Sequence, residues 1–97
     1  LEGDWKSGKV KLNGFPLNPR KSLKVYNHSP TGFSWSYGGS GPAQLALAVL
    51  LECFPEEVAT QYYQRFKWDV IAKLPARDFS LVFNVEAWLN KNDGRVK

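Results

Sequence analysis

Between Gly32 and Ala48 the chain reads G-F-S-W-S-Y-G-G-S-G-P-A-Q-L-A-L-A, and no other stretch limits the fold so narrowly. Phe33, Trp35 and Tyr37 alternate at the spacing of a strand. Gly38, Gly39 and Gly41 then release the backbone, and Pro42, with its φ preset, suits the first position of a helix. The pattern predicts a strand over 32–37, a corner with positive φ at Gly38 or Gly39, and a helix over 42–53 capped by Ser40 or Gly41. The helix interior, Leu45 to Leu51, is apolar all round, which requires packing on more than one side. It is a core helix, well short of the roughly 20 residues that a membrane span needs.

Upstream the period is two. Lys9-Val10-Lys11-Leu12 and Phe15-Pro16-Leu17 flank Asn13-Gly14, the dipeptide that suits a two-residue type I′ turn. In that register Leu12 faces Phe15 and Val10 faces Leu17, so all four apolar side chains point to one face, towards the core. Pro16 then lies opposite Lys11 in a non-hydrogen-bonded pair, which makes the second arm a sheet edge. A further strand is expected over Leu23 to Tyr26, followed by turn formers at 27–31.

Downstream the period becomes helical. Pro55 opens a second helix with Glu56 and Glu57 at its positive end, and Ala59, Tyr63, Phe66, Val70 and Leu74 form its apolar stripe up to Pro75. Gln61, Gln64, Arg65, Trp68 and Asp69 fall on the polar side. Asp78 to Val82 reads as a turn and short strand, and Asn84 caps a last helix through Leu89. The fold class is therefore α+β: a small, mainly antiparallel sheet from the amino-terminal half, packed on two consecutive helices, with a short strand and helix at the end. With 97 residues this is one domain, 1–97, with 1–8 and 92–97 expected to be loosely ordered.

Tyr26-Asn27-His28-Ser29-Pro30-Thr31-Gly32-Phe33, then Trp35, Tyr37 to Ala48, Tyr63-Gln64-Arg65-Phe66-Lys67-Trp68 and Ile71-Ala72-Lys73-Leu74-Pro75 together resemble a family of small bacterial and bacteriophage domains of unknown function. The resemblance covers most of the chain, including the amino-terminal hairpin. It implies a small soluble protein carried on phages and mobile elements, and it implies no activity and no site residues.

Function must then be read from the residues themselves. The lone Cys53 cannot form an internal disulfide, and the Leu-Glu-Gly-Asp-Trp start lacks the basic and apolar regions of a leader, so a cytoplasmic location is expected. No membrane partner is expected. Neither metal-ligand spacing nor a cofactor motif is present: the Gly38–Gly41 elbow fits neither G-x-x-x-x-G-K-[ST] nor G-x-G-x-x-G. Free N–H groups at the helix head would favour an anion, although Pro42 removes one donor. Gln44, a polar amide heading an apolar helix, needs partners, which the elbow backbone would supply. His28 is the one imidazole; brought near Tyr37, Ser40 or Cys53 it would serve acid–base work, and otherwise it bonds to loop backbone.

Two partner classes compete. Residues 1–51 hold six bases (Lys6, Lys9, Lys11, Arg20, Lys21, Lys24) against Glu2 and Asp4, so the whole net charge of +4 lies there. An exposed Trp35 row beside Lys9, Lys11 and Lys24 would be a stacking platform for nucleic acid, with the elbow as a nucleotide or phosphate site. If the lysines instead guard strand edges, Trp68 with Arg65 becomes the anchor of a protein contact, self-association included. The favoured reading is a non-enzymatic module binding a protein, with His28, Trp35, Tyr37, Gly39, Ser40, Gln44, Arg65 and Trp68 as candidate binding residues. Nucleic-acid binding stands second, and a small enzyme centred on His28 third.

Overall fold

Asn13 and Gly14 both take positive φ, 53° and 80°, and turn the chain as a type I′ hairpin should. The computed structural model describes residues 1–29 and 32–92. Strands β1 (Glu2–Asp4), β2 (Lys9–Leu12), β3 (Phe15–Pro16) and β4 (Phe79–Ser80) form one antiparallel sheet in the order β3-β2-β1-β4. Lys11 pairs with Pro16 and Leu12 with Phe15, and the Leu17 N–H donates to the Val10 carbonyl at 2.8 Å. Pro16 thus sits on the edge strand at a position where no ladder bond is required of it. Val10 and Leu17 are buried and Leu12 half-buried, but Phe15 is 75 % exposed, so the hairpin tip runs past the core that was expected to cover it.

Glu2–Asp4 departs from the expectation of a loose amino terminus: it is an inner strand, held by β2 on one side and β4 on the other. At the other end Asn92 closes the last helix, and residues 93–97 lie outside the described residues.

Two expected strands are absent. Arg20–Val25, covering most of the strand expected over Leu23 to Tyr26, is helix α1, and Gly32 to Tyr37 is irregular chain with no strand partner. In the first, the Ser22 hydroxyl turns back to the Pro19 carbonyl at 2.9 Å, a bond that a helical turn supplies and a strand does not. In the second, Ser36 takes φ 81° and its N–H bonds to Ile71 at 3.0 Å, which breaks the alternation before a ladder could form.

Helix α2 (Ser40–Cys53) begins at Gly39, which caps it without a side-chain bond, so Ser40 is its first residue and Pro42 its third. Gly41 to Leu51 are all buried, as an all-apolar helix demands. Helix α3 (Glu56–Asp69) packs along it, capped by Pro55, with Ala59, Tyr63, Phe66, Val70 and Leu74 buried. It ends earlier than the stripe does. Val70 leaves helical geometry at φ −124°, a short 3₁₀ turn (Ile71–Lys73) follows, and Leu74 is extended as a residue before proline prefers. Helix α4 (Val85–Asn92) is capped as expected, the Ala87 N–H donating to Asn84 Oδ1 at 2.9 Å, and it buries Trp88 and Leu89. No described helix is long and apolar enough to cross a membrane.

Candidate functional site

Gln44 is fully buried in the second turn of α2, and its amide makes three hydrogen bonds. Its Nε2 donates to Ser22 Oγ at 2.8 Å, and its Oε1 accepts from the backbone N–H groups of His28 at 2.8 Å and Ser29 at 3.1 Å. The elbow backbone, expected to satisfy it, does not. Gln44 instead ties α1, the 28–29 loop and α2 together, because those loop N–H groups have no ladder of their own. Among the described residues no buried side-chain nitrogen or oxygen lacks a partner.

His28 follows from this anchoring. Its Nε2 lies 2.7 Å from the Tyr63 hydroxyl, and Tyr26 stacks on Tyr63 with ring centroids 6.1 Å apart. Tyr63, on the buried stripe of α3, is the partner that the sequence reading missed; Tyr37, Ser40 and Cys53, which it offered, are not His28's partners. Ser22 was missed as well, its burial being invisible while the segment reads as a strand. Burial, then the carboxylates of Glu86 and Glu52, push the pKa of the Cys53 thiol up, which disfavours the thiolate.

The elbow is built differently. A side chain at Gly38 would collide with the outer edge of the Trp68 indole, and one at Gly39 with the Tyr37 ring. Neither glycine has positive φ, contrary to expectation; Ser36 makes the turn, and the glycines exist so that two rings can lie against bare backbone. Both rings stay open to solvent, Tyr37 at 52 % and Trp68 at 58 % exposure. Tyr37 is held by its hydroxyl, 3.0 Å from Ser34 Oγ. Trp68 carries the Lys67 ammonium 4.5 Å from its ring centroid, while the rest of Lys67 is buried. Ser40, exposed at the head of α2, borders this patch. Arg65 does not join Trp68: its Nη1 donates to the Asn92 carbonyl at 3.2 Å, securing α4.

The aromatic row does not form one surface. Trp35 is fully buried, its Nε1 donating to the Arg77 carbonyl at 3.1 Å, while Phe33 is half-buried and Tyr37 faces outward. Three of the bases in the amino-terminal half stand near carboxylates of the fold. Lys9 lies opposite Asp4 and Lys11 opposite Glu2 across β1 and β2, and Lys21 pairs with Glu52 at 3.2 Å. Opposite charges in facing positions are a favourable arrangement for a sheet.

Residues 2–91 match the model of a family of unknown function, DUF6166, and the chain belongs to that family. No curated protein and no solved structure matches it.

Proposed function

We propose that this member of the family is a non-enzymatic binding module whose partner is a protein, with Trp68 as the anchor of the contact and Tyr37, Gly39 and Ser40 beside it. The observation that carries the reading is Trp68: an indole fixed against Gly38, braced by Lys67, yet 58 % exposed. A rigid, half-exposed tryptophan loses little side-chain entropy on binding and offers a large apolar area, which is why such residues dominate interface energetics. The competing nucleic-acid reading needs Trp35 at the surface and unopposed lysines; Trp35 is in the core, and Lys9 and Lys11 face carboxylates.

His28, Trp35 and Gln44 support the fold and not the contact in this reading, and Arg65 secures α4. The protein would act in the cytoplasm and be carried by phages or mobile elements; the unpaired Cys53 supports the first, and the motif resemblance the second.

The test is affinity capture from the native host, followed by titration of the captured protein with purified variants. Trp68→Ala is expected to weaken binding by more than tenfold, at the scale of about 2 kcal/mol that marks an interface hot spot. Gln64→Ala, an exposed change on the same helix, should leave binding unaltered. Equal binding by Trp68→Ala and wild type would sink the reading. Salt-steep binding of a single-stranded oligonucleotide, abolished by Lys11→Glu, would replace it with the nucleic-acid one.

A further inference from the structure

Where β3 leaves β2 the surface opens into a groove of about 590 Å³. The path of the chain creates it. Strand β3 ends at Pro16, the Leu17 N–H makes one last bond to Val10, and Asn18 Oδ1 accepts from the Arg20 N–H at 2.9 Å as the chain turns away into α1. At the other end Gly8 takes φ 71°, and a methyl carbon there would lie 2.9 Å from the Phe33 carbonyl oxygen, so the backbone at Phe33 closes directly onto the turn between β1 and β2. The groove is the gap between these two places.

Its lining divides by chemistry. Val10 and Leu17, both buried, lie at its base with the half-buried Phe33 beside them, while Lys9, Lys11 and Arg20 bring three exposed cations to its edges. Among the described residues no carboxylate lines it. The one ion pair among those residues joins Lys21 to Glu52, so none of the three cations is engaged in one, although Lys9 and Lys11 face Asp4 and Glu2 across the sheet. Arg20 lies outside the sheet. An exposed cation gains little from a small hydrated anion, and an open apolar wall gains little from a small neutral ring. A ligand that offers both at once gains from both, and the planar guanidinium of arginine matches a carboxylate through two parallel hydrogen bonds. The volume falls within the range of about 300–1,000 Å³ typical of small-molecule sites.

We propose that this groove binds a small amphipathic organic anion, with its apolar body against Phe33 and its carboxylate at Arg20. Lys9 and Lys11 add attraction from the edge. None of Trp68, Tyr37, Gly39 and Ser40 lines the groove, so this site and the protein contact at the elbow stand or fall separately.

Titration of the nitrogen-15-labelled full chain with three probes, followed by amide chemical shifts, tests this. Naphthalene-2-carboxylate carries both features, its neutral carboxamide lacks the charge, and acetate lacks the apolar body. The carboxylate is expected to give saturable shifts at the amides of Val10, Leu17 and Arg20, with the other two probes at least tenfold weaker. Arg20→Gln should weaken the carboxylate about tenfold, the scale of one charge-assisted hydrogen bond. Lys73→Gln removes the same charge from an exposed position that does not line the groove, and should leave binding unaltered. Arg20 is itself exposed, and the spectrum of the free variant shows directly that it is folded. The proposal is overturned by any of four results: no shift at millimolar carboxylate, shifts confined to the elbow, either lesser probe binding as well as the carboxylate, or Arg20→Gln behaving as Lys73→Gln does.

Discussion

The inner cluster of Gln44, His28 and Tyr63 and the outer pair of Tyr37 and Trp68 share the same scaffold, yet one is closed and the other open. Gln44 heads α2 just beyond the elbow, and Tyr63 and Trp68 both belong to α3. In the inner cluster every polar group named is met by another part of the chain. In the outer pair, the rings are positioned by glycines but their exposed faces meet nothing. Gln44, His28 and Tyr63 thus hold parts of the fold together, while the two outer rings keep open faces. A polar cluster is not evidence for chemistry until its bonding capacity exceeds what its neighbours use.

The largest effect is expected where the closed cluster is broken. Gln44→Leu removes the acceptor of two loop N–H groups in one step, and leaving buried donors unpaired costs about 1–3 kcal/mol each. A loss of about 3 kcal/mol should lower the melting temperature by more than about 10 °C in a domain of this size. An unchanged melt would mean that solvent satisfies the 28–29 loop and that the cluster is not closed at all.

The open pair is broken most directly at its floor. Gly38→Ala drives a methyl group into the Trp68 ring, and overpacking of this kind costs about 1–3 kcal/mol. In the double variant Gly38→Ala/Trp68→Ala that penalty should largely vanish, since the obstructing ring is gone. Chemical denaturation of the four species gives the coupling. If Gly38→Ala proves neutral, Trp68 is not seated on the elbow, and the anchor loses its rigidity.

Much of this architecture was legible in the sequence because it rests on short-range rules. Asn13-Gly14 specified the hairpin and its register, the apolar run specified α2, and Asn84 specified the cap of α4. What escaped depends on partners distant in the chain. Glu2–Asp4 has poor strand propensity and becomes a strand because β2 and β4 lie on either side. Arg20–Val25 is too short for its period to separate helix from strand, and a buried Ser22 bonded to Gln44 decides the matter. At the site, the glycines were correctly read as unusual, but the reason was crowding by Trp68 and Tyr37 from outside rather than backbone curvature. Pairing of His28 with Tyr63, 35 residues away, had no local signal.

A milder cut sharpens the comparison from inside. Tyr63→Phe deletes only the hydroxyl that meets His28 and keeps the ring against Tyr26, so a loss of about 1 kcal/mol is expected, the net worth of one hydrogen bond. Nuclear magnetic resonance of the His28 ring should register the change directly. If stability falls instead by as much as in Gln44→Leu, the cluster acts as one cooperative unit rather than as separable bonds.

The smallest effect tests whether the solvent face of the sheet is closed in the same sense, by charge rather than by hydrogen bonds. Lys11 faces Glu2, and Lys9 faces Asp4, with each pair projecting from the same side of β1 and β2. Lys11→Glu would set two carboxylates opposite one another, and a facing pair of like charges is expected to cost about 0.5 kcal/mol. The reciprocal change Glu2→Lys, added to the first, restores opposite signs and should restore stability. Exposed pairs are screened, so the difference should shrink between low and high salt. Denaturation of the single and double variants at both salt concentrations measures it. If the swap fails to restore stability, the lysines are not answered by these carboxylates, and their charge becomes available to an outside partner, reopening the contrast between a closed sheet face and an open elbow.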